Sequence, residues 1–295
     1  MLKMTNIDIW IRHRQIINAV SFDVQPGAIV GLIGPNGAGK TTIMKTILGL
    51  IPFSGAVTID NQSVTETNHA GLKSVGALIE HPALYPFLTG YQNLALYTQD
   101  EANLQAIVTQ LEMTPYINRK AKGYSLGMKQ KLGIALALLN HPQLVILDEP
   151  MNGLDIDATI LVRQIIQQYA QQGTAFLVAS HILSELEKVV TDVIIINNGQ
   201  VRLNQPIATF NQVTAQRYRL QTTDMVQTQA LLTDQQIPFE QDAGYLNIAQ
   251  AALYMVQTLC FNQQIQFKAL IPEQVSFEQR IVQLLHEKDG DEHAN

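Results

Sequence analysis

The chain opens on an alternating pattern. Ile7, Ile9 and Ile11 are separated by other residues, and Val20, Phe22 and Val24 repeat the spacing, as half-buried strands do. Pro26-Gly27 marks a turn between these segments and the next. Four later runs are apolar on both faces: Ala28 to Gly34, Ser74 to Glu80, Gln143 to Pro150 and Thr174 to Ser180. That texture is expected of strands buried on both sides of a parallel sheet. Between the last two runs, Ile160, Leu161, Ile165 and Ile166 fall at helical spacing within Ala158 to Tyr169. Strands alternating with helices predict a parallel sheet covered on both faces. The stretch at about 82–141 is helical in pattern and separates two sheet strands, so it predicts an inserted helical subdomain.

Val193 to Leu203 reads as strand, turn and strand, with Asn197-Asn198-Gly199 at the turn. After Pro206 the texture changes. The remainder is rich in Gln, with short strand patterns at Tyr218 to Gln221, Tyr245 to Ile248 and Ile265 to Leu270, and helical patterns between and after them. The division predicted is one domain over 1–205 and a small α+β accessory domain over 206–295. The charged tail, Lys288 to Asn295, lacks apolar anchors and is expected to fray.

Composition narrows the class. With 295 residues and 46% hydrophobic positions, the chain can build a packed core. Only 15% of positions are charged, so much of the surface is neutral polar. The formal charge, 19 minus 25 or −6, argues against a nucleic-acid partner read by bulk charge. No apolar run approaches the roughly 20 residues of a membrane span, and MLKMTNIDIW lacks the apolar core of a signal peptide. The single cysteine, Cys260, permits no intrachain disulfide and no cysteine-based zinc site, and reads as a buried thiol. A soluble, cytosolic chain is expected.

The chemistry is concentrated in two runs. Gly34-Pro35-Asn36-Gly37-Ala38-Gly39-Lys40-Thr41 fits G-x-x-x-x-G-K-[ST] after a buried strand. Glycines let backbone N–H groups converge on phosphate oxygens, and a helix starting at Lys40 turns its positive end to the same anion. Lys40 suits the β- and γ-phosphates, and the Thr41 hydroxyl suits Mg²⁺. Thr42 completes the candidate nucleotide-binding run. The second run, Leu144 to Pro150, is a buried strand that delivers Asp148 and Glu149 at its carboxyl end, the edge where open α/β sheets bind ligands. Asp148 suits the Mg²⁺ sphere, and Glu149 can accept a proton from, or orient, an attacking water.

Three further segments identify the family. Tyr124-Ser125-Leu126-Gly127-Met128-Lys129-Gln130 precedes the second run and resembles the LSGGQ signature of ABC-transporter ATPases. Asn152-Gly153-Leu154-Asp155 resembles the D-loop, and His181 resembles the switch histidine. By itself Ser125 would read as a helix cap and His181 as a loop histidine. Order and spacing match the family over about residues 5–205. The resemblance implies a P-loop NTPase (RecA-like) α/β core with an inserted helical subdomain and an antiparallel N-terminal β-subdomain. It implies ATP and Mg²⁺ as cofactors, and two nucleotide-binding subunits closing head-to-tail over two ATPs. Ser125, Gly127 and Asp155 would then meet the ATP of the partner. A separate polytopic permease would hold the chain at the cytoplasmic face of the cell membrane.

Some positions depart from the family pattern. Glu80 stands where glutamine is usual, and resembles the E-loop variant of lantibiotic-immunity ATPases. Its carboxylate could ligate Mg²⁺ or sit near the attacking water. The aromatic that stacks on adenine falls in the Trp10 or Ile11 region. Val275 to Leu284 resembles the closing helix of bacitracin-resistance ATPases. Together these point to a bacitracin- or lantibiotic-like peptide antibiotic as cargo, with another exported substrate as the alternative. A soluble ABC ATPase of translation or repair is disfavoured, because the chain has one P-loop and no long heptad insertion. Ser184 and Glu187 read as a capping box for a helix beyond His181.

Overall fold

The computed structural model describes residues 1–211, 217–273 and 276–286. The chain divides into two compact units, Met1–Asn211 with the chain from Ile281, and Gln212–Arg280. This differs from a division at 205/206. The first unit keeps a short helix at Ile207–Asn211 and takes back the chain from Ile281.

The first unit begins with β1 (Leu2–Ile11), β2 (Arg14–Val24) and β3 (Ile29–Ile33), then α1 (Lys40–Ile47), β4 (Ser54–Ile59), β5 (Gln62–Val64) and β6 (Val75–Leu78). The helical segment follows as α2 (Gly90–Ala95), α3 (Glu101–Gln110) and α4 (Leu126–Leu138). The chain then alternates β7 (Leu144–Asp148), α5 (Ile156–Gln171), β8 (Ala175–Ala179), α6 (Leu183–Leu186), β9 (Asp192–Asn197), β10 (Gln200–Pro206) and α7 (Ile207–Asn211).

Two sheets result. The N-terminal sheet is antiparallel, in the order β2-β1-β4-β5. The central sheet runs β10-β9-β3-β8-β7-β6 and is parallel except for β10. All five residues are buried in each of β3, β7 and β8, which is why these runs show no alternation. β9 and β10 turn through Asn198 and Gly199, both at positive φ (47° and 73°), the backbone a two-residue hairpin requires. Ile43, Met44 and Ile47 of α1 pack into one core with Met4, Val20 and Val57 of the N-terminal sheet and Leu32 of the central sheet. That packing fixes the helix whose first residue is Lys40.

Pattern and structure part in several places. β1 is irregular, with register shifts beyond Met4 and a positive φ (48°) at Asn6. The alternation therefore fails at Ile11, which is 50% exposed while Ile7 and Ile9 are buried. The buried face of α5 is Ala158, Val162, Ile165, Ile166 and Ala170, and Ile160 lies outside it. Ser184 and Glu187 form no capping box: α6 starts after Ile182 without a side-chain cap, and Ser180 Oγ accepts from the Ile182 amide instead at 3.1 Å.

The second unit contains β11 (Arg217–Thr222), α8 (Met225–Asp234), β12 (Phe239–Asp242), β13 (Tyr245–Ala249), α9 (Leu253–Asn262) and β14 (Phe267–Pro272). Its sheet, β12-β13-β11-β14, is antiparallel throughout, the βαββαβ arrangement of ferredoxin-like domains. Leu220, Leu246 and Ile248 meet Leu232, Val256 and Cys260 in its core, so the lone thiol is buried. β12 is an additional strand: Phe239-Glu-Gln-Asp carries too little apolar signal to read as one. A final helix, α10 (Phe277–His286), covers most of the closing segment, whose Val275 lies outside the described residues, as does the tail Lys288 to Asn295. No helix among the described residues is long and apolar enough to cross a membrane.

Candidate functional site

Four adjacent strand ends build the site. The glycine-rich run follows β3, His181 follows β8, Asp148 closes β7, and Glu80 follows β6. In the sheet these strands are neighbours, in the order β3-β8-β7-β6. One carboxyl edge therefore gathers side chains up to about 150 residues apart in sequence.

A cavity of about 480 Å³ opens there, lined by Asn36, Gly37, Gly39, Lys40, Thr41, Thr42, Glu80, Asp148 and Glu149 among others. Thr41 Oγ1 donates to Asp148 Oδ2 at 2.7 Å. Asp148 is 6% exposed, so this hydroxyl is a principal partner for a buried carboxylate. Lys40 Nζ folds back onto the carbonyls of Gly34 (2.7 Å) and Pro35 (3.1 Å). Burial pushes the Lys40 ammonium down, while Glu149 and Asp148 act to raise it. Lys40 thus places its ammonium at the start of α1, the end of a helix that carries partial positive charge.

Two glycines have distinct reasons. Gly39 has φ 104°, and a Cβ there would strike Ile17 of β2. Gly34 has ordinary backbone, and a Cβ there would strike the Ile196 carbonyl of β9. Gly34 is thus required by strand packing rather than by the cavity. Gly34, Pro35 and Ala38 do not line the cavity, and Ala38 is buried in the core.

Glu149 stands just past β7 at φ 53°. Its amide donates to the Ala179 carbonyl at 2.8 Å, which aligns it with the end of β8. Two residues on, His181 meets it: Nδ1 lies 2.7 Å from Glu149 Oε2, and the His181 amide donates to the same oxygen at 3.2 Å. The Glu149 carbonyl accepts from Gln130 Nε2 at 2.9 Å and from the Asn152 amide at 3.1 Å.

Glu80 is not the last residue of a strand. β6 ends at Leu78, and Glu80 takes φ 61°. Its carboxylate pairs with Lys45 Nζ at 2.6 Å. The hydrogen bond and charge of Lys45 hold the Glu80 carboxyl below its ordinary range.

The residues expected to meet a partner's ATP are not in the lining of this cavity. Ser125, Gly127 and Asp155 line a second one, with Gly153 and Leu154. Ser125 Oγ caps α4 by accepting from the Met128 amide at 3.2 Å, and Asp155 Oδ1 caps α5 by accepting from Ala158 at 2.8 Å. Leu126 lines both cavities. Neither Trp10 nor Ile11 reaches the first cavity; both are exposed near the end of the β1–β2 hairpin. Ile16, after the turn, lines it instead, as do His81, Gln130 and Asn152. Gln130 and Asn152 were legible only as parts of their motifs, and Ile16 gave no signal.

A P-loop followed by a strand-end acid pair, on a parallel sheet with an inserted helical segment, defines a P-loop nucleotide-binding ATPase fold. The family model described as "ABC transporter" matches residues 17–152. The uncharacterized ABC transporter ATP-binding protein YdbJ of Bacillus subtilis (strain 168) is 34% identical, over 99% of this chain and 98% of its own length. The lantibiotic transport ATP-binding protein SrtF of Streptococcus pyogenes is 37% identical over 70% of this chain and 90% of its own. The bacitracin transport ATP-binding protein BcrA of Enterococcus faecalis is 37% identical over 63% of each. A solved ATP-binding subunit of an ABC transporter superposes with a TM-score of 0.67 at 28% identity, over 72% of this chain and 92% of that one. The chain belongs to the ATP-binding subunits of ABC transporters, ATPases whose hydrolysis drives transport.

Proposed function

We propose that this chain hydrolyses ATP for an exporter of a peptide antibiotic of the bacitracin or lantibiotic kind, coupling ATP-driven closure of two copies to a separate permease. The observation that carries the ATP hydrolysis in this reading is the 2.7 Å contact between Thr41 and Asp148 at the mouth of the glycine-rich run. A hydroxyl and a buried carboxylate are the hard oxygens that Mg²⁺ takes, so these two residues fit the ion. Bound there, Mg²⁺ would neutralise phosphate charge. Asn36, Gly37 and Gly39 to Thr42, which line the cavity, would cradle the triphosphate, with Lys40 leaving its own carbonyls for phosphate oxygens. Glu149 would orient the attacking water, held by His181. Glu80 lines the same cavity, and its pairing with Lys45 favours a place beside that water over direct ligation of the metal.

Ser125, Gly127 and Asp155 face their own cavity rather than the P-loop of the same chain. That separation supports a head-to-tail pair in which each copy completes the site of the other. Attachment to the permease would hold the chain at the cytoplasmic face of the membrane. The likeness to SrtF and BcrA, with Glu80, supports the cargo class. The test is ATP hydrolysis by the assembled complex, and survival of expressing cells under a lantibiotic or bacitracin, for wild type and Glu149→Gln. Hydrolysis and protection that both vanish in the variant are expected. Equal, near-zero hydrolysis in both proteins overturns the ATPase reading. Intact hydrolysis without protection overturns the cargo.

A further inference from the structure

The first cavity, read above as the ATP site, carries more carboxylates than the Mg²⁺ proposed at Thr41 and Asp148 would need. Its lining holds one lysine, Lys40, against three carboxylates, Glu80, Asp148 and Glu149, with His81 beside Glu80. Asp148 and Glu80 are each tied to α1. Thr41 and Lys45 are four residues apart on that helix, hence on one face. Thr41 binds Asp148 at 2.7 Å and Lys45 binds Glu80 at 2.6 Å. Lys45 itself is not in the cavity lining. It pairs with Glu80 from outside that lining, and Glu80 meets it from a backbone at φ 61°, a conformation that costs energy for a residue other than glycine.

We propose that Lys45 is the positioning residue that makes a carboxylate at position 80 compatible with a bound triphosphate, by pairing with Glu80 and cancelling its charge at the cavity wall. This rests on the ATP reading of the cavity. A neutral glutamine would need no such partner. An unpaired carboxylate facing the phosphates would repel them, as like charges in one site do. The pair is partly solvent-exposed (34% for Lys45 and 60% for Glu80), so the effect on affinity is moderate rather than total.

The test is titration of the full chain with Mg²⁺ and a fluorescent ATP analogue, for wild type, Lys45→Met, Glu80→Gln and the double variant. Lys45→Met is expected to raise Kd by about threefold or more, the range of an exposed ion pair. In the Glu80→Gln background the same substitution is expected to change Kd little. A further variant, Lys45→Arg with Glu80 intact, keeps the charge and is expected to stay near wild type. An equal loss in both backgrounds, or none in either, overturns the inference and leaves Lys45 a helix-surface lysine. Wild type that fails to bind the analogue overturns the ATP reading itself, and this inference with it.

Discussion

Glu149 and His181 are joined twice, through the histidine ring at 2.7 Å and through its backbone amide at 3.2 Å. An ionised carboxylate only accepts, so opposite an ionised Glu149 the ring contact is donated by Nδ1–H. The link follows from sheet register. Asp148 pairs with Ala179, so the residues just beyond β7 and β8 emerge side by side. Gln130, only 5% exposed, grips the Glu149 carbonyl from α4. The Glu149 carboxylate is thus held from the end of β8 and its backbone from α4.

His181→Ala should release that orientation without touching the P-loop. Hydrolysis is expected to fall by ~10²-fold or more, the scale of a misplaced acid–base group. ATP affinity should change little. Steady-state hydrolysis and an ATP titration on one preparation separate the two. Loss of binding in step with hydrolysis would make His181 a structural residue.

Glu149→Gln keeps the shape of the side chain and removes its charge. The variant is expected to bind ATP, hydrolyse it at least ~10²-fold more slowly, and accumulate as a nucleotide-stabilised dimer. Light scattering with and without ATP reads this directly. A variant that stays monomeric with ATP counts against the head-to-tail pair.

Lys40→Ala removes the ammonium that now rests on the Gly34 and Pro35 carbonyls. Those carbonyls would face an incoming phosphate with no cation between them. Affinity for Mg²⁺-ATP is expected to drop by ~10-fold or more, the loss of a charge-assisted hydrogen bond. An unchanged titration would refute the assignment of this run to phosphate.

Much of this site was legible because its residues come in fixed local spacings beside buried strands. The run from Gly34 to Thr41 and the Asp148-Glu149 pair needed no tertiary information. Glu80 was legible as a position but not as a contact, because Lys45 lies on a helix packed into place by Met4, Val20 and Leu32. Ile11 shows the opposite failure. Its alternation was sound locally, and an irregular β1 carried it outward. Ile16 lines the cavity only through the path of the β1–β2 hairpin, which side-chain pattern does not encode. β12 was missed because its pairing to β13 rests on backbone hydrogen bonds, with Phe239 its one apolar residue.

Ser125 carries two readings that one substitution can part. Its hydroxyl caps α4, a role that Asp fills as well as Ser. A carboxylate at a helix start is also favoured by the helix dipole. Ser125→Asp is therefore expected to keep the melting temperature at or above wild type. If Ser125 meets the γ-phosphate of a partner's ATP, the same carboxylate will face that anion, and hydrolysis and ATP-driven dimerisation should both be lost while ATP binding to the monomer persists. If capping is its whole role, Ser125→Asp will hydrolyse ATP like wild type. Ser125→Ala provides the converse: about 1 kcal/mol of stability lost with the cap, and no added charge to repel the nucleotide.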